Sequence, residues 1–302
     1  MSLMIGIISY LPQDEKVRSK RVKAHAQQLE WLHSLYPNIV PNIVAQGYQN
    51  EYHDNVSYVG RFETGIGASA ARNIILRLFY ASDYDYLLMC DDDTIAYPYY
   101  NYEEFMQRIA EEPELFKSVD AVMAVEPEYH AFKARVLEDK GNLSHYKFTP
   151  RELNSGAATC FLKNIKKYYN EEIYFDEQLE ASTGNGREDI DFLLRWLLKG
   201  FNFYQMETWI RKSLSFDYSA IFGSDTKARD AILMKCLDFM CQRYSKYGLA
   251  RNLKGQITWK NFNNRYNRTL PVLYIPRKNP ITISDNLMPK QKSVNDGRKR
   301  LF

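Results

Sequence analysis

Three consecutive aspartates, Asp91 to Asp93, follow an apolar run in the stretch YDYLLMCDDDT. The apolar run is typical of a buried strand, and adjacent carboxylates repel one another. Mg²⁺ and Mn²⁺ prefer carboxylate oxygens and commonly leave coordination positions open for the phosphates of a substrate. Because side chains at i and i+2 lie on the same side of an extended chain, the spacing predicts that Asp91 and Asp93 bind one divalent cation. The alternative is a solvated acidic turn.

A second group of acids, Glu188, Asp189 and Asp191, opens a predicted helix in the stretch GREDIDFLLRWLLKG. Acids in the first turn of a helix interact favourably with the helix dipole, which is one sufficient explanation for them. The functional interpretation is a general base, because a carboxylate at the mouth of the sheet can take a proton from the hydroxyl of an acceptor. Both interpretations stay open on the sequence alone.

Glycines and small residues precede the aspartates in the stretch TGIGASAARN, which leads into a predicted helix. As a dinucleotide-binding fingerprint the stretch is weak, because the acidic residue that should follow lies at the wrong offset and the preceding strand is poor. A glycine-rich start of a helix is the plainer interpretation. Arg72 lies near this start, where its charge and its forked guanidinium suit a diphosphate.

The elements that must position these residues alternate along the chain. The predicted strands lie at 4–11, 38–45, 56–59, 85–90 and 119–125, and helices separate several of them. Alternation of this kind predicts an α/β protein with a mostly parallel, Rossmann-like central sheet flanked by helices on both faces. Ligands gather beyond the carboxyl ends of the strands in such a sheet, and the three aspartates come directly after one strand.

The pattern changes after about residue 130. Two stretches, LSHYKFTP and GAATCFLK, have the character of antiparallel or edge strands. The helix with the acidic start is expected to end at Gly200, and a further helix is predicted over 226–247. In the first helix, apolar residues near helical spacing are expected to face the core; they are Val17, Val22, Ala26, Leu29 and Leu32.

The net charge of +3 hides an uneven distribution. Residues 243–302 contain fourteen Lys and Arg and two Asp, a net charge of +12, which leaves residues 1–242 at −9. Basic side chains alternate with aromatic ones in this basic segment. Such a pattern suits nucleic acid, because phosphates attract the cations and bases stack on the rings. Lipid headgroups offer the same negative charge, and a solvated tail is the remaining interpretation.

Neither a membrane span nor a signal peptide is expected, because no apolar run is long enough and the N-terminus lacks a basic region and a cleavage site. The four cysteines lie in apolar contexts without metal-type pairing, which is typical of reduced thiols in a cytosolic protein. We therefore expect a cytoplasmic protein, located in the host cytoplasm if the chain is of phage origin.

Taken together, the motifs resemble those of glycosyltransferases with the GT-A fold, in particular the family-two-like group. The matching pieces occur in the order of that group; they are SYLP after the first strand, GASAARN, YLLMCDDD as the D-x-D signature, NSGAATCFLK, and FDEQL…GREDIDFLLRWLLKGF as the ED helix. The resemblance covers about residues 4–212. It implies a transferase that uses Mn²⁺ or Mg²⁺ to move a hexose or pentose from a nucleoside-diphosphate sugar to an acceptor hydroxyl, with inversion.

The resemblance also implies a role for each matching position. Asp91 would approach the ribose of the nucleotide or the metal, and Asp93 would bind the metal that bridges the diphosphate. Arg72 would lie along the nucleotide, together with Ser9 and Tyr10 of the loop after the first strand.

Further positions would serve the sugar, the acceptor and the base. Gly156 and Ala157 would line the sugar and acceptor site, and Asp189 would be the catalytic base with Glu188 as its rival. Many members of the group supply a later histidine as a third metal ligand. Here all five histidines precede the ED helix, and Asp217 is the candidate substitute.

We expect two regions, a nucleotide-sugar-binding and catalytic domain over residues 1–215 and a basic, helical or irregular region over residues 216–302 that binds the acceptor. Some phage enzymes of this class attach sugars to modified bases in DNA, and a hydroxymethylated base in DNA would explain the charge of the basic segment. The alternatives are a saccharide or lipid-linked saccharide acceptor, a Mg²⁺-dependent nucleotidyl- or phosphotransferase, and a non-catalytic nucleic-acid-binding module.

Overall fold

The structure is a computed structural model, and it describes the chain in ranges; they are residues 2–98, 119–125, 146–147, 159–179, 188–201, 203–213, 226–247, 250–251, 257–258, 269–270 and 272–273. The helices are α1 (Glu15–Leu35), α2 (Ala68–Tyr80), α3 (Ile165–Tyr169), α4 (Glu188–Lys199) and α5 (Thr226–Tyr244), with a 3₁₀ turn at Ser245–Tyr247. The strands are β1 (Leu3–Tyr10), β2 (Asn42–Gln46), β3 (Ser57–Phe62), β4 (Tyr86–Asp91), β5 (Thr94–Pro98), β6 (Ala121–Val125), β7 (Tyr146–Lys147), β8 (Thr159–Lys163), β9 (Phe203–Ser213), β10 (Ala250–Arg251), β11 (Ile257–Thr258), β12 (Thr269–Leu270) and β13 (Val272–Leu273).

Within the described ranges, the main sheet has nine strands in the order β13-β9-β6-β8-β4-β1-β2-β3, with β5 paired to β9. The pairs β1–β2, β1–β4, β2–β3, β6–β9 and β9–β13 are parallel, whereas β8 lies antiparallel between β4 and β6. The predicted α/β class with a mostly parallel central sheet is confirmed. Within the stretch GAATCFLK, the described residues Thr159–Lys163 form an antiparallel strand in the interior of the sheet, in agreement with the predicted antiparallel character.

Helices cover both faces of this sheet, because side chains alternate along each strand and both sets are apolar. Met4 and Ile8 of β1 belong to the core cluster that also contains residues of α2, α4 and α5. Ile5 and Ile7 belong to the opposite cluster, which packs against α1. Each apolar side chain that is fully buried in this way contributes about 1.5–3 kcal/mol to the free energy of unfolding.

The buried face of α1 contains polar side chains in addition to the predicted apolar ones. The apolar residues that the spacing placed toward the core are half-buried, except for Leu32, which is fully buried. Polar side chains are buried more deeply in the same helix; they are Arg18, Arg21, His25 and Gln28. Val22 and Leu29 pack against the core cluster that contains Leu32, as expected. The buried polar side chains were not predicted, because they pack beside a polar turn that needs hydrogen-bond partners.

The parallel register brings the carboxyl ends of three strands to one edge of the sheet. Ile8 of β1 lies opposite Asp91 of β4, and Tyr10 lies opposite Gln46 of β2. The residues that follow these strand ends are therefore neighbours in space, although Tyr10 and Asp91 are far apart in the sequence.

The C-terminal part of the chain contributes to the same core. Met240 and Tyr244 of α5 are buried in the cluster that contains α2 and α4, and β13 extends the main sheet beside β9. The predicted helix over 226–247 is confirmed as α5 with its 3₁₀ turn. The division of the chain at residue 215 stays a prediction. No helix within the described ranges has the length and apolar character that crossing a membrane requires.

Candidate active site

The three aspartates do not lie on one extended strand. Asp91 is the last residue of β4, and Asp92 and Asp93 form a turn that leads directly into β5 at Thr94. The chain is therefore not extended through Asp93, as the prediction assumed. The binding of one divalent cation by Asp91 and Asp93 stays a prediction. A reversal of the chain at this place gives each of the three carboxylates its own surroundings.

Asp91 pairs with a buried arginine of α2. Arg72 Nη2 donates to Asp91 Oδ1 at 2.9 Å, and Arg72 Nη1 donates to Glu188 Oε1 at 2.7 Å. The side chain of Arg72 is 5% exposed, and its guanidinium lies 5.1 Å from the centre of the Phe175 ring. Burial opposes ionisation of this group, but the charges of Asp91 and Glu188 outweigh it and raise the pKa of Arg72. The first aspartate of the aspartate turn and the first acid of α4 thus share one guanidinium group.

Asp92 is the most buried of the three aspartates, with 1% of its surface exposed. Its Oδ2 accepts hydrogen bonds from Ser9 Oγ at 2.5 Å and from the backbone N–H of Tyr10 at 3.3 Å. Its Oδ1 accepts from Arg21 Nη2, and Ser9 Oγ also lies 2.7 Å from Tyr48 Oη. Burial raises the pKa of Asp92 to about 6, although the charge of Arg21 acts in the opposite direction.

Two side chains of helix α1, one turn apart, contact the backbone of the aspartate turn. Gln28 Nε2 donates to the carbonyl oxygens of Asp91 and Thr94, the latter at 2.6 Å. His25 Nδ1 lies 3.3 Å from the carbonyl oxygen of Asp92. Burial lowers the pKa of His25 to about 3, so this ring is neutral at physiological pH. Backbone carbonyls that would otherwise be buried without partners are satisfied in this way.

Arg21 completes the polar face of α1. Its Nη1 lies 3.4 Å from Asp93 Oδ2, while its Nη2 pairs with Asp92. Burial opposes ionisation, but the charges of Asp92, Asp93 and Asp91 outweigh it and raise the pKa of Arg21. Sequence reasoning missed Arg21, His25 and Gln28 as site residues. The available signal was their spacing at i, i+4 and i+7, which places three polar residues on one face of a helix.

The charges at this edge of the sheet do not cancel. The carboxylates of Asp91, Asp92, Asp93 and Glu188 meet two guanidinium groups, so the net charge is −2 when all four acids are ionised. The side chains of Asp91 and Asp93 are 23% and 12% exposed, respectively. Carboxylate oxygens that water can reach suit a hard divalent cation, which binds one or two carboxylates together with substrate phosphates.

At most two of the described side chains at this edge could bind the same metal ion. Among the residues that the structure describes, no group of three or more His, Cys, Asp or Glu side chains is arranged to hold a metal ion. The set fits Mg²⁺ or Mn²⁺ if water and the phosphates of a substrate provide the remaining ligands. Asp217, the candidate third ligand, lies outside the described residues, as do Gly156 and Ala157.

The first turn of α4 presents two acids in different surroundings. Glu188 is 8% exposed and accepts from Arg72, whereas Asp189 is half-buried and its Oδ1 accepts from the backbone N–H of Ile190 at 2.8 Å. Gly200, with φ of 99°, follows the last residue of this helix, as the sequence predicted. Because Glu188 and Asp91 both pair with Arg72, the helix begins at the same edge of the sheet as the aspartate turn.

No protein-family model matches the sequence, and no curated protein sequence matches it. Among solved structures, the chain is similar to S. aureus TarS in complex with UDP-GlcNAc, at 16% identity over 87% of this chain and 79% of that one, with a TM-score of 0.43. A Drosophila β-1,4-galactosyltransferase 7 mutant, solved with manganese, UDP-Gal and xylobiose, aligns at 14% identity over 67% of this chain and 64% of that one, with a TM-score of 0.34.

A third solved structure, the galactosyltransferase LgtC with donor and acceptor sugar analogues, aligns at 13% identity over 75% of this chain and 82% of that one, with a TM-score of 0.35. At TM-scores of this size, such likenesses establish neither a shared family nor a shared activity. The functional conclusion therefore depends on the side chains at the edge of the sheet.

Proposed function

We propose that the protein is a metal-dependent glycosyltransferase of the GT-A type, which moves a sugar from a nucleoside-diphosphate sugar to an acceptor hydroxyl. The observation that carries the proposal is the ion-pair bridge from Asp91 through Arg72 to Glu188, with distances of 2.9 Å and 2.7 Å. It supports a common location for the two acidic motifs, although they lie about a hundred residues apart in the sequence. A leaving group and a proton acceptor are needed at one place in this reaction.

The donor side of the site consists of Asp91, Asp93 and the end of β1. A divalent cation held by Asp91 and Asp93 would neutralise the charge that develops on the leaving diphosphate. Ser9 and Tyr10 lie at the end of β1 beside the aspartate turn, which suits residues that contact the nucleotide. Arg72 holds Asp91 in place and adds positive charge beside the diphosphate.

The acceptor side begins at the first turn of α4. Asp189 is the better candidate for the general base, because the carboxylate of Glu188 is already engaged in an ion pair with the Arg72 guanidinium and is less available to the hydroxyl of an acceptor. Asp189 would take the proton from the attacking hydroxyl as the new glycosidic bond forms. A single displacement of this kind inverts the anomeric centre.

The direct test is the release of nucleoside diphosphate from a panel of nucleoside-diphosphate sugars in the presence of Mn²⁺. We expect Asp189→Asn to lower the turnover number at least about 10²-fold, because general-base catalysis contributes about 10²–10⁴-fold. Lys199→Ala, which removes an exposed ion pair with Glu171 at the other end of the same helix, is the matched control and should keep normal turnover.

Three outcomes would contradict the proposal. Release of pyrophosphate in place of nucleoside diphosphate would indicate a nucleotidyltransferase. Full turnover by Asp189→Asn would place the base elsewhere. Full turnover of the wild-type protein after removal of divalent metal would exclude the assigned role of Asp91 and Asp93.

For the acceptor, we propose a hydroxymethylated base in DNA. The support is the net charge of +12 in residues 243–302, because a chain that neutralises DNA phosphates needs such a segment. DNA binding should weaken steeply with salt, and turnover with a fixed donor should rise when hydroxymethylated duplex DNA is added. Turnover that rises only with a saccharide acceptor would contradict the DNA assignment and leave the transferase assignment intact.

A further inference from the structure

Asp191, the third acid in the first turn of α4, is fully buried and accepts three hydrogen bonds from side chains. Its Oδ2 accepts from Arg195 Nε at 2.9 Å, and its Oδ1 accepts from Arg243 Nη1 at 3.0 Å and from Tyr244 Oη at 2.6 Å. The side chain has no exposed surface. Favourable interaction with the helix dipole therefore does not account for Asp191, because two of its three partners come from the last turn of α5.

Arg243 also contacts Asp176, which lies in the segment before α4. Its Nη2 donates to Asp176 Oδ2 at 2.5 Å, and its guanidinium lies 4.5 Å from the centre of the Phe239 ring on its own helix. Burial alone would raise the pKa of Asp176, but the hydrogen bond and the charge of Arg243 lower it below its ordinary value. The forked guanidinium thus connects the segment before α4 with the first turn of α4.

Asp176 and Asp191, the two carboxylates that Arg243 contacts, are close in the sequence to residues that contact Arg72. Phe175 directly precedes Asp176 and carries the Arg72 guanidinium at 5.1 Å from its ring centre. Glu188 lies three residues before Asp191, on the same face of α4, and accepts from Arg72 Nη1. The Phe175 ring also stacks on Phe192 of α4, with 4.1 Å between the ring centres and an angle of 3° between the planes.

We propose that Arg243 is a positioning residue, which fixes the Asp91–Arg72–Glu188 bridge by holding Asp176 and Asp191 together. The expected effect of Arg243 on kcat rests on the proposed function. Its expected effect on the position of Arg72 rests on the side-chain contacts alone. Arg243 is also the first residue of the segment with a charge of +12. The last turn of α5 therefore connects the start of the basic segment to the candidate catalytic groups.

The kinetic test compares Arg243→Met, Arg243→Lys and the double variant Asp191→Asn/Arg243→Met. We expect Arg243→Met to lower kcat at least about tenfold with less than a threefold change in the KM of the donor, because misplacement of a catalytic group costs rate more than binding. Arg243→Lys should regain part of kcat. Arg243→Met leaves the buried charge of Asp191 with Arg195 and Tyr244 but without one of its two arginine partners. The double variant removes this charge, so its melting temperature should recover in part while its kcat stays low.

The comparison separates positioning from a purely structural role. If kcat and melting temperature recover together in the double variant, or if Arg243→Met keeps the wild-type kcat, the inference is wrong. Arg77→Met is the control, because the Arg77–Glu177 pair is 3.7 Å long and more than half exposed, and it should change neither quantity.

A second measurement does not depend on catalysis. In the wild-type protein, the two ion pairs of Arg72 restrict rotation of its guanidinium, so its two Nη groups should give separate resonances in an NMR spectrum of ¹⁵N-labelled arginine. These resonances should merge in Arg243→Met and stay separate in Arg77→Met. Separate resonances in Arg243→Met would overturn the inference. A protein that shows the merging but no sugar transfer would contradict the proposed function and leave the positioning role of Arg243 standing.

Discussion

Replacement of Arg72 by methionine tests the arrangement at the edge of the sheet most severely. The change keeps an unbranched side chain of similar length against Phe175 but removes the cation shared by Asp91 and Glu188. Removal of one partner from a buried ion pair costs about 3–5 kcal/mol, because the remaining charge stays buried without compensation. Since the side chain of Asp91 is 23% exposed and water can reach it, most of the cost should come from Glu188.

A second substitution measures how much of the cost of Arg72→Met comes from Glu188. In the Arg72→Met background, Glu188→Gln removes the buried charge that lacks a partner, and we expect it to restore about 1–3 kcal/mol of the free energy of unfolding. In the wild-type background the same Glu188→Gln change should destabilise, because it removes a hydrogen bond from Arg72. A substitution that stabilises one background and destabilises the other shows that Arg72 and Glu188 interact.

Urea denaturation at equilibrium, followed by fluorescence, measures all four proteins of this cycle. Arg77→Met, on an exposed part of the same helix, should change the free energy of unfolding by less than about 0.5 kcal/mol. The reasoning is refuted if Arg72→Met costs less than about 1 kcal/mol, or if Glu188→Gln destabilises both backgrounds equally.

Three further substitutions test other parts of the structure. The folded-state pKa of Asp92 is raised from 3.8 to about 6, so the stability that it contributes is complete below pH 3.8 and is lost as the pH rises through 6. From pH 4 to pH 7, the free energy of unfolding of Asp92→Asn should therefore rise by about 2 kcal/mol relative to that of the wild-type protein. A difference between the two proteins that does not change with pH would contradict a pKa of Asp92 raised by burial. Gly47→Ala should lower the free energy of unfolding by about 1–3 kcal/mol, measured by thermal unfolding, because φ is +71° there and a Cβ would lie 2.2 Å from the carbonyl oxygen of Leu11. An unchanged free energy would contradict the left-handed backbone conformation at Gly47. Gly6→Ala should cost a similar amount, because a Cβ would lie 2.3 Å from Ile75 Cγ2 between β1 and α2, and an unchanged melting temperature would contradict that close packing.

Local patterns in the sequence predict much of this fold. The apolar run before Asp91 predicts β4, and the glycine after Lys199 predicts the end of α4, because each signal depends on only a few neighbouring residues. The alternation of strands and helices predicts the parallel part of the sheet for the same reason. The direction of the chain at Asp92 was not predicted, because the pattern marks the end of the strand and not the turn that follows.

The environment of the carboxylates could not be predicted in the same way. The three aspartates predict a divalent cation that offsets their repulsion, but nothing in the sequence predicts the two arginines, Arg21 and Arg72, that lie beside them. The Arg72–Glu188 pair joins residues 116 positions apart, and no local periodicity reports such a contact. The polar face of α1 was missed for a related reason, because its partner is a turn that lies far along the chain.

The acids of α4 show that neighbouring residues of one type can have different roles. The sequence assigned Glu188, Asp189 and Asp191 either to the helix dipole or to catalysis. In the structure, Glu188 pairs with Arg72 and Asp191 is held by α5, while Asp189 is half-buried. Helical spacing explains why Asp189 differs from Glu188, because consecutive residues point about 100° apart around a helix axis. Glu188 and Asp191 share one face of the helix and differ because they lie beside different elements.

The most direct test of the central claim is the equilibrium binding of nucleoside-diphosphate sugars to the wild-type protein and to Asp93→Asn, measured by calorimetry with and without Mn²⁺. We predict that at least one such donor binds the wild-type protein, that removal of Mn²⁺ weakens this binding at least about tenfold, and that Asp93→Asn abolishes most of the effect of the metal. Equal affinity with and without Mn²⁺, or no binding of any donor, would contradict the claim.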